Sequence, residues 1–245
     1  MATTLSLLEL RTATRQRADM VNSQFVSDAE LNSYINQSYF ELYDLLVSKY
    51  GDNYYVAPAY TITTDGTSDQ YALPNSPPTV PQLYKLLGVD LGLSNTSDSY
   101  VTIRPFEFID RNRYAVPNFQ SFYGLTNLRY RLNGDKIWFT PIPAANQRIR
   151  LWYIPRMTTL ALDTDTVDGV SGWTEYIICD AAMKCMQKEE SDVSVLMAEK
   201  QMLTRRIEAM AESRDAGSPA KVSDNLYSDF WFPTGSGSGT NWGTY

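Results

Sequence analysis

Residues 27–50 read SDAELNSYINQSYFELYDLLVSKY, and the fold turns on how that stretch is read. Ser27 followed three positions later by Glu30 is a capping box, in which the serine hydroxyl accepts the N3 amide and the glutamate reaches back to the cap amide. A helix therefore starts here, and Gly51 supplies a left-handed residue to end it after Tyr50. Phe25-Val26 ahead of the cap suits a hydrophobic staple. Along the helix the apolar residues fill two faces. Leu31, Ile35, Leu42 and Leu45 form one stripe, and Tyr39, Phe40, Tyr43, Val47 and Tyr50 form another. A helix packed on one core needs a single stripe, so the second must meet further chain or another copy. The expectation is an inter-subunit helix face carried by Tyr39, Tyr43 and Tyr50.

The far end of the chain carries a matching pair. Residues 173–188 (WTEYIICDAAMKCMQK) are apolar almost all round, as in a central core helix. Residues 192–214 read as a cleaner amphipathic helix, with Val193, Leu196, Leu203, Ile207 and Met210 on one side. Residues 4–20 read as a helix preceding the one at 27–50. Cys179 and Cys185 stand about 240° apart around one helix axis, so they point apart and are read as buried, reduced side chains.

Between these helical ends the period changes to that of strands. Residues 59–64 and 70–73 flank Asp65-Gly66 and predict a hairpin, and prolines 74, 77, 78 and 81 hold an extended loop. Residues 83–93 and 100–104 read as strands, and 105–114 as a short helix opening on proline. The sharpest local signal is 128–139, strand, Asn133-Gly134, strand. Taken as the central pair of a type I′ turn, Asn-Gly sets Leu132 opposite Asp135, Arg131 opposite Lys136, Tyr130 opposite Ile137 and Arg129 opposite Trp138. Tyr130, Leu132 and Ile137 then share the core face, and Arg129, Arg131, Lys136 and Trp138 share the other. Arg148–Tyr153 alternates in the same way and extends the hairpin into a three-stranded meander. The fold class expected is α+β: a discontinuous helical bundle (1–53 and 172–215), an inserted antiparallel β domain (54–171) and an extended C-terminal arm (216–245). The arm holds Tyr227, Phe230, Trp231 and Phe232 but has too little aliphatic content to fold alone.

Composition narrows the function classes. The 245 residues include no histidine, which removes the commonest general base and metal ligand and every Ser–His or Cys–His nucleophile pair. No apolar run approaches the roughly 20 residues that span a bilayer, and the N-terminus lacks a signal-peptide layout, so a chain made and used in a cytoplasm is expected. Net charge is −7 but unevenly spread. Residues 1–53 carry four basic and seven acidic side chains and 172–215 carry six and nine, which sums to −6, while 54–171 balance at ten and ten.

Three clusters are candidates for chemistry. Asp163-x-Asp165-x-x-Asp168-Gly169 is faintly like a calcium loop, but Val167 breaks the alternation and Thr174 stands at position twelve, so an acidic surface linker is the better reading. Glu189, Glu190 and Asp192 at a helix end point to different sides and mark no converging carboxylate pair of the kind a glycosidase needs. Arg129, Arg131, Lys136, Arg148 and Arg150 with Trp138 form the sharpest constellation. Basic residues interleaved with aromatics on a sheet could bind nucleic acid by phosphate contact and stacking. In an acidic chain without a nucleic-acid-binding motif, docking on an acidic partner is favoured.

Three phrases carry a family resemblance: RQRADMVNSQFVSDAELNSYINQSYFELYDLLVSKYG (15–51), RYRLNGDKIWFTPIP (129–143) followed by LWYIPR (151–156), and GWTEYIICDAAMKCMQKEESDV (172–193). Together with the helix pairs, β insert and aromatic tail, they resemble the head-to-tail adaptor (connector) proteins of tailed bacteriophages. The resemblance implies a structural virion protein with no catalytic role and no cofactor or metal. It implies a homo-oligomeric, twelve-fold ring under the portal, assembled in the bacterial host cytoplasm and located in the virion neck, with no membrane partner. The ring would extend the DNA channel and meet a tail or nozzle protein below, genomic DNA passing without sequence-specific binding. A terminal arm commonly docks on the portal in this family, which points to Tyr227, Phe230, Trp231 and Phe232 as the portal contact. The basic β face (Arg129, Arg131, Lys136, Arg148, Arg150) would meet a neighbouring subunit or the tail. The alternatives are a nucleic-acid-binding module using that face and a virion-carried peptidoglycan-degrading enzyme.

Overall fold

Residues 5–50, 57–75, 80–93, 98–114, 128–167 and 173–212 are described by the computed structural model. In chain order the elements are α1 (Leu7–Arg17), α2 (Asp28–Tyr50), β1 (Tyr60–Thr63), β2 (Gln70–Ala72), β3 (Leu83–Gly92), β4 (Tyr100–Thr102), β5 (Arg104–Pro105), α3 (Arg111–Tyr114), β6 (Arg129–Asn133), β7 (Lys136–Thr140), β8 (Arg148–Pro155), α4 (Thr174–Lys188) and α5 (Ser194–Glu212). The fold is α+β, with four long helices and two mostly antiparallel sheets.

Local signals place the helices. Ser27 Oγ accepts from Glu30 N at 3.3 Å at the start of α2, and Val26 and Leu31 on either side of the cap are both buried, as a staple requires. A second capping box opens α1: Glu9 N donates to Ser6 Oγ, and Ser6 N donates to Glu9 Oε2 at 2.8 Å. Its sequence signal is the same Ser-x-x-Glu spacing as at Ser27. The helix ends at Arg17, earlier than Met20, because Asp19 turns to φ 55° and breaks it. Side chains from α1, α2, α4 and α5 share one apolar core. Within it Ile177, Cys179, Ala181 and Ala182 of α4 are wholly enclosed, as the all-round apolar pattern requires. Burial pushes the Cys179 and Cys185 thiols up to about 11, so both stay protonated and inert.

The β region departs from the meander. One sheet has the order β1-β8-β3-β4 and the other β2-β7-β6-β5. The hairpin expected across Asp65-Gly66 does not form. Strand β1 pairs with β8 in one sheet and β2 with β7 in the other, so both connections cross between sheets side by side. Thr64 N donates to Gln147 O and Asn146 N donates to Thr64 O, at 3.0 and 2.8 Å. Gly66, at φ 79°, allows this crossing: a Cβ there would stand 2.9 Å from Ala145. Strand β8 therefore leaves β7 for the other sheet.

The β6–β7 hairpin forms, with a different turn. Asn133 faces Lys136 and Leu132 faces Ile137, so Gly134-Asp135 is the central pair. Gly134 has φ 61° while Asn133 is not left-handed, the pattern of a type II′ turn with glycine first. Each partner moves by two residues, which preserves parity, so the faces are those expected. Arg129, Arg131 and Trp138 remain opposite Tyr130, Ile137 and Phe139. Leu132, at the hairpin tip, is exposed rather than in the core. Ile137 and Phe139 of this sheet meet Ile62, Val89, Leu91, Ile149 and Leu151 of the other in a second apolar core.

The 158–167 segment is no slack linker. Asn36 of α2 clasps the Leu160 backbone, donating to its carbonyl at 3.0 Å and accepting its amide at 2.8 Å. Leu7 N donates to Asp165 O, and Arg11 bridges to Asp163. The Asp165 carboxylate accepts the Leu162 and Ala161 amides, which hold its pKa below the usual range. Both aspartates are thus engaged by the chain, while Asp168 and Gly169 lie outside the described residues.

Candidate interaction surfaces

The tyrosine stripe of α2 is where the structure corrects the sequence most sharply. Tyr39 and Tyr43 are each only 4% exposed within the single chain. The Tyr43 hydroxyl donates to the Pro155 carbonyl at the end of β8, and its ring meets Tyr84 edge-on at 5.7 Å. Tyr39 and Tyr43 line a cleft of about 500 Å³ with Pro81, Pro155, Met157 and Leu160. Tyr50 is half-buried against the helical core. Tyr39 and Tyr43 therefore pack against the end of β8 and the segment that follows it. The argument from a spare apolar face to a neighbouring copy fails for Tyr39 and Tyr43, because helical spacing says that a face must be covered but not by what.

The five basic residues expected on one face divide between two. Arg129, Arg131 and Lys136 lie on one sheet, and Arg148 and Arg150 on the other, each set opposite the face that enters the shared core. On the β8 sheet Arg150 lies 3.8 Å over the Tyr100 ring, with Arg148 5.7 Å from the same ring. Gly92, paired with Tyr100, lets β8 come close: a Cβ there would stand 3.1 Å from the Arg148 carbonyl oxygen. Asp90 stands opposite Arg150 and accepts from Trp152 Nε1 and Thr102 Oγ1, both at 2.7 Å. Guanidiniums stacked on the chain's own rings and interleaved with a carboxylate make a poor phosphate cradle. On the β6–β7 sheet Trp138 is covered by Phe106 (5.2 Å) and Phe108 (6.3 Å), and Arg111 and Arg131 stack on Phe108 at 4.5 and 5.7 Å. The tail aromatics Tyr227, Phe230, Trp231 and Phe232 lie outside the described residues.

One cluster escaped sequence reasoning. Asp180, in the middle of the apolar helix α4, is fully enclosed. Its carboxylate accepts from Ser38 Oγ at 2.6 Å, and Lys184 and Lys200 approach it at 2.7 and 2.6 Å. Both lysines also bridge Glu41, at 3.0 and 2.8 Å. Two carboxylates and two ammonium groups thus close a neutral network joining α2, α4 and α5. Burial alone pushes the Asp180 pKa up, but the Lys184, Lys200 and Ser38 hydrogen bonds together outweigh it and the net direction is down. Burial likewise opposes the Lys200 charge, and the Asp180 and Glu41 carboxylates override it, raising the Lys200 pKa. The available signal was an aspartate four residues before a lysine inside an apolar helix. A carboxylate held ionised between two lysines is a structural lock, unsuited to donating a proton near neutrality. Asp192, from the acidic helix end, instead starts α5 by accepting Ser194 N at 2.9 Å. Among the described residues no three His, Cys, Asp or Glu side chains gather where they could hold a metal ion, and no helix is long and apolar enough to cross a membrane.

No curated protein matches the chain at a significant level. Residues 5–223 match the SU10 adaptor protein family, a span that takes in all four long helices and both sheets. The chain belongs to the SU10 adaptor protein family and is a phage head-tail adaptor protein.

Proposed function

We propose that this adaptor forms a ring under the portal that joins the capsid to the tail and extends the DNA channel, twelve copies to a ring. The observation that carries the proposal is the family match across residues 5–223. In this reading the protein is a purely structural part of the virion neck, without enzymatic activity. Residues 1–53 and 172–215 act as one helical domain and 54–171 as an inserted β domain. The arm residues Tyr227, Phe230, Trp231 and Phe232 dock on the portal, and the arginines at 129, 131, 148 and 150 with Lys136 meet a subunit or the tail. Charge supports a conduit role. The helical ends sum to −6, and each phosphate contact strengthens DNA binding, so an acidic lining favours release. Particles assembled without this protein should accumulate as DNA-filled heads lacking tails, and purified protein should restore joining. Normal tailed particles in its absence would refute the proposal.

A further inference from the structure

The outer face of the β6–β7 sheet carries a small projection. Phe106 packs edge-on against Trp138 and is buried, and the chain then makes a single 3-10 turn, Phe108–Asp110, that runs into α3. The Phe108 ring is held by Trp138 and by the Arg111 and Arg131 guanidiniums. Arg111 Nη1 also donates to the Phe108 carbonyl at 3.1 Å. So held, the turn presents Ile109 with 82% of its surface exposed, more than any other large apolar side chain among the described residues. Glu107 and Asp110 bracket Phe108-Ile109, and neither carboxylate has a hydrogen bond or ion pair.

The cleft beside α2 has the opposite form. The hollow of about 500 Å³ adjoins a second of about 430 Å³, edged by Phe40, Leu83 and Tyr84, and the two share Tyr43, Met157 and Arg156. Tyr39 and Tyr43 are covered within the chain, but the mouth is open: Pro81, Tyr84 and Arg156 are exposed, and Phe40 and Leu83 are half-buried. Arg156 N donates to the Gln82 carbonyl at 2.6 Å, and its guanidinium meets Gln82 Oε1 at 3.3 Å and the Phe40 ring at 6.0 Å. No carboxylate pairs with that guanidinium. The two acids of the lining are already engaged, Asp44 by the Tyr84 hydroxyl and Asp165 by the Ala161 and Leu162 amides. An apolar cleft thus holds one unpaired cation, and an apolar projection carries two unpaired carboxylates.

We infer that the Glu107–Asp110 projection of one copy seats in the Arg156 cleft of the next, Ile109 entering the apolar hollow and Glu107 meeting the guanidinium. The inference rests on the ring reading and deepens it by naming the surfaces that meet. Opposite charges fix the register of such a contact, and a projection already clamped by its own chain loses little freedom on seating. Projection and cleft are different surfaces, so the contact repeats in one direction and can close into a ring, whereas a surface that meets itself stops at a dimer.

The test uses assembled particles whose adaptor carries Ile109→Cys together with Thr159→Cys, an exposed residue lining the larger hollow, treated with a short bis-maleimide and run on a denaturing gel. The native cysteines Cys179 and Cys185 are buried, so they contribute little background. A ladder of dimers, trimers and larger species is expected from the double variant, and none from either single variant. Dimers from Ile109→Cys alone, or no ladder in particles that hold the normal amount of protein, would overturn the inference. As a second arm, Arg156→Glu and Glu107→Arg should each leave the thermal midpoint of the free protein unchanged, both side chains being exposed. Each should reduce incorporation into particles by about tenfold, and the two together should restore most of it. Undiminished incorporation of the single variants, or a double variant no better than either, would sink the pairing. Absence of the wild-type protein from the neck would instead refute the ring reading and the contact with it.

Discussion

Replacing Asp180 with asparagine should lower the unfolding free energy by about 3–5 kcal/mol, because removing one member of a buried ion pair leaves its partners' charges uncompensated. Here Lys184 and Lys200 would face only Glu41, which is partly exposed. For a chain of this size the thermal midpoint should fall by about 10 °C. The pH dependence carries a sign that identifies the cause. The folded-state pKa of Asp180 lies below its ordinary 3.8, so its contribution is complete above that value and is lost as pH falls through the folded pKa. Lys200 is raised above its ordinary 10.5, so its contribution is complete below 10.5 and is lost as pH rises through the folded pKa. The midpoint difference between wild type and Asp180→Asn should therefore be level between about pH 5 and 9 and shrink in acid below about pH 4. Calorimetry across that range decides it. A difference under about 1 kcal/mol, or one that persists unchanged into strong acid, would show that the network is not a lock.

Tyr43→Ala should be as damaging for a different reason. Emptying a buried aromatic site removes about 3–5 kcal/mol, and here it also strips the α2 surface on which the end of β8 rests. Tyr43→Phe keeps the ring and removes the hydroxyl that donates to the Pro155 carbonyl, so it should cost about 1 kcal/mol. Both effects belong to one chain and should not vary with protein concentration. Urea unfolding at several dilutions is the measurement. A Tyr43→Ala protein as stable as wild type when dilute, and weaker only in assembly, would return this residue to an interface between copies.

What was legible in the sequence depended on how local its cause is. The Ser27–Glu30 box needs only a four-residue spacing, and it marks the start of α2 in the structure. The faces of the β6–β7 hairpin were legible because side chains alternate strictly. They survived an error in the turn because a shift of two residues preserves parity. Which strand lies next to which is a non-local matter. Arg148–Tyr153 alternates equally well beside β7 or between β1 and β3, and the structure takes the second course. That choice divides the basic residues between two faces. The same blindness produced the misreading of Tyr39 and Tyr43, whose cover arrives from far along the chain, Pro81 and Tyr84 as well as Pro155, Met157 and Leu160. Asp180 was hidden by its setting: eight buried neighbours along α4 made the helix read as purely apolar, and the lysine that completes the network lies on another helix. The family phrases were legible because they are continuous stretches that need no pairing.

Imaging of the neck in purified particles tests the central claim most directly. Averaged electron micrographs of wild-type virions, with the adaptor located by a bound antibody fragment, should show a closed ring of twelve copies directly beneath the portal, pierced by the DNA channel. Adaptor density elsewhere on the particle, or a neck in which the portal meets the tail with no ring between them, would contradict the account.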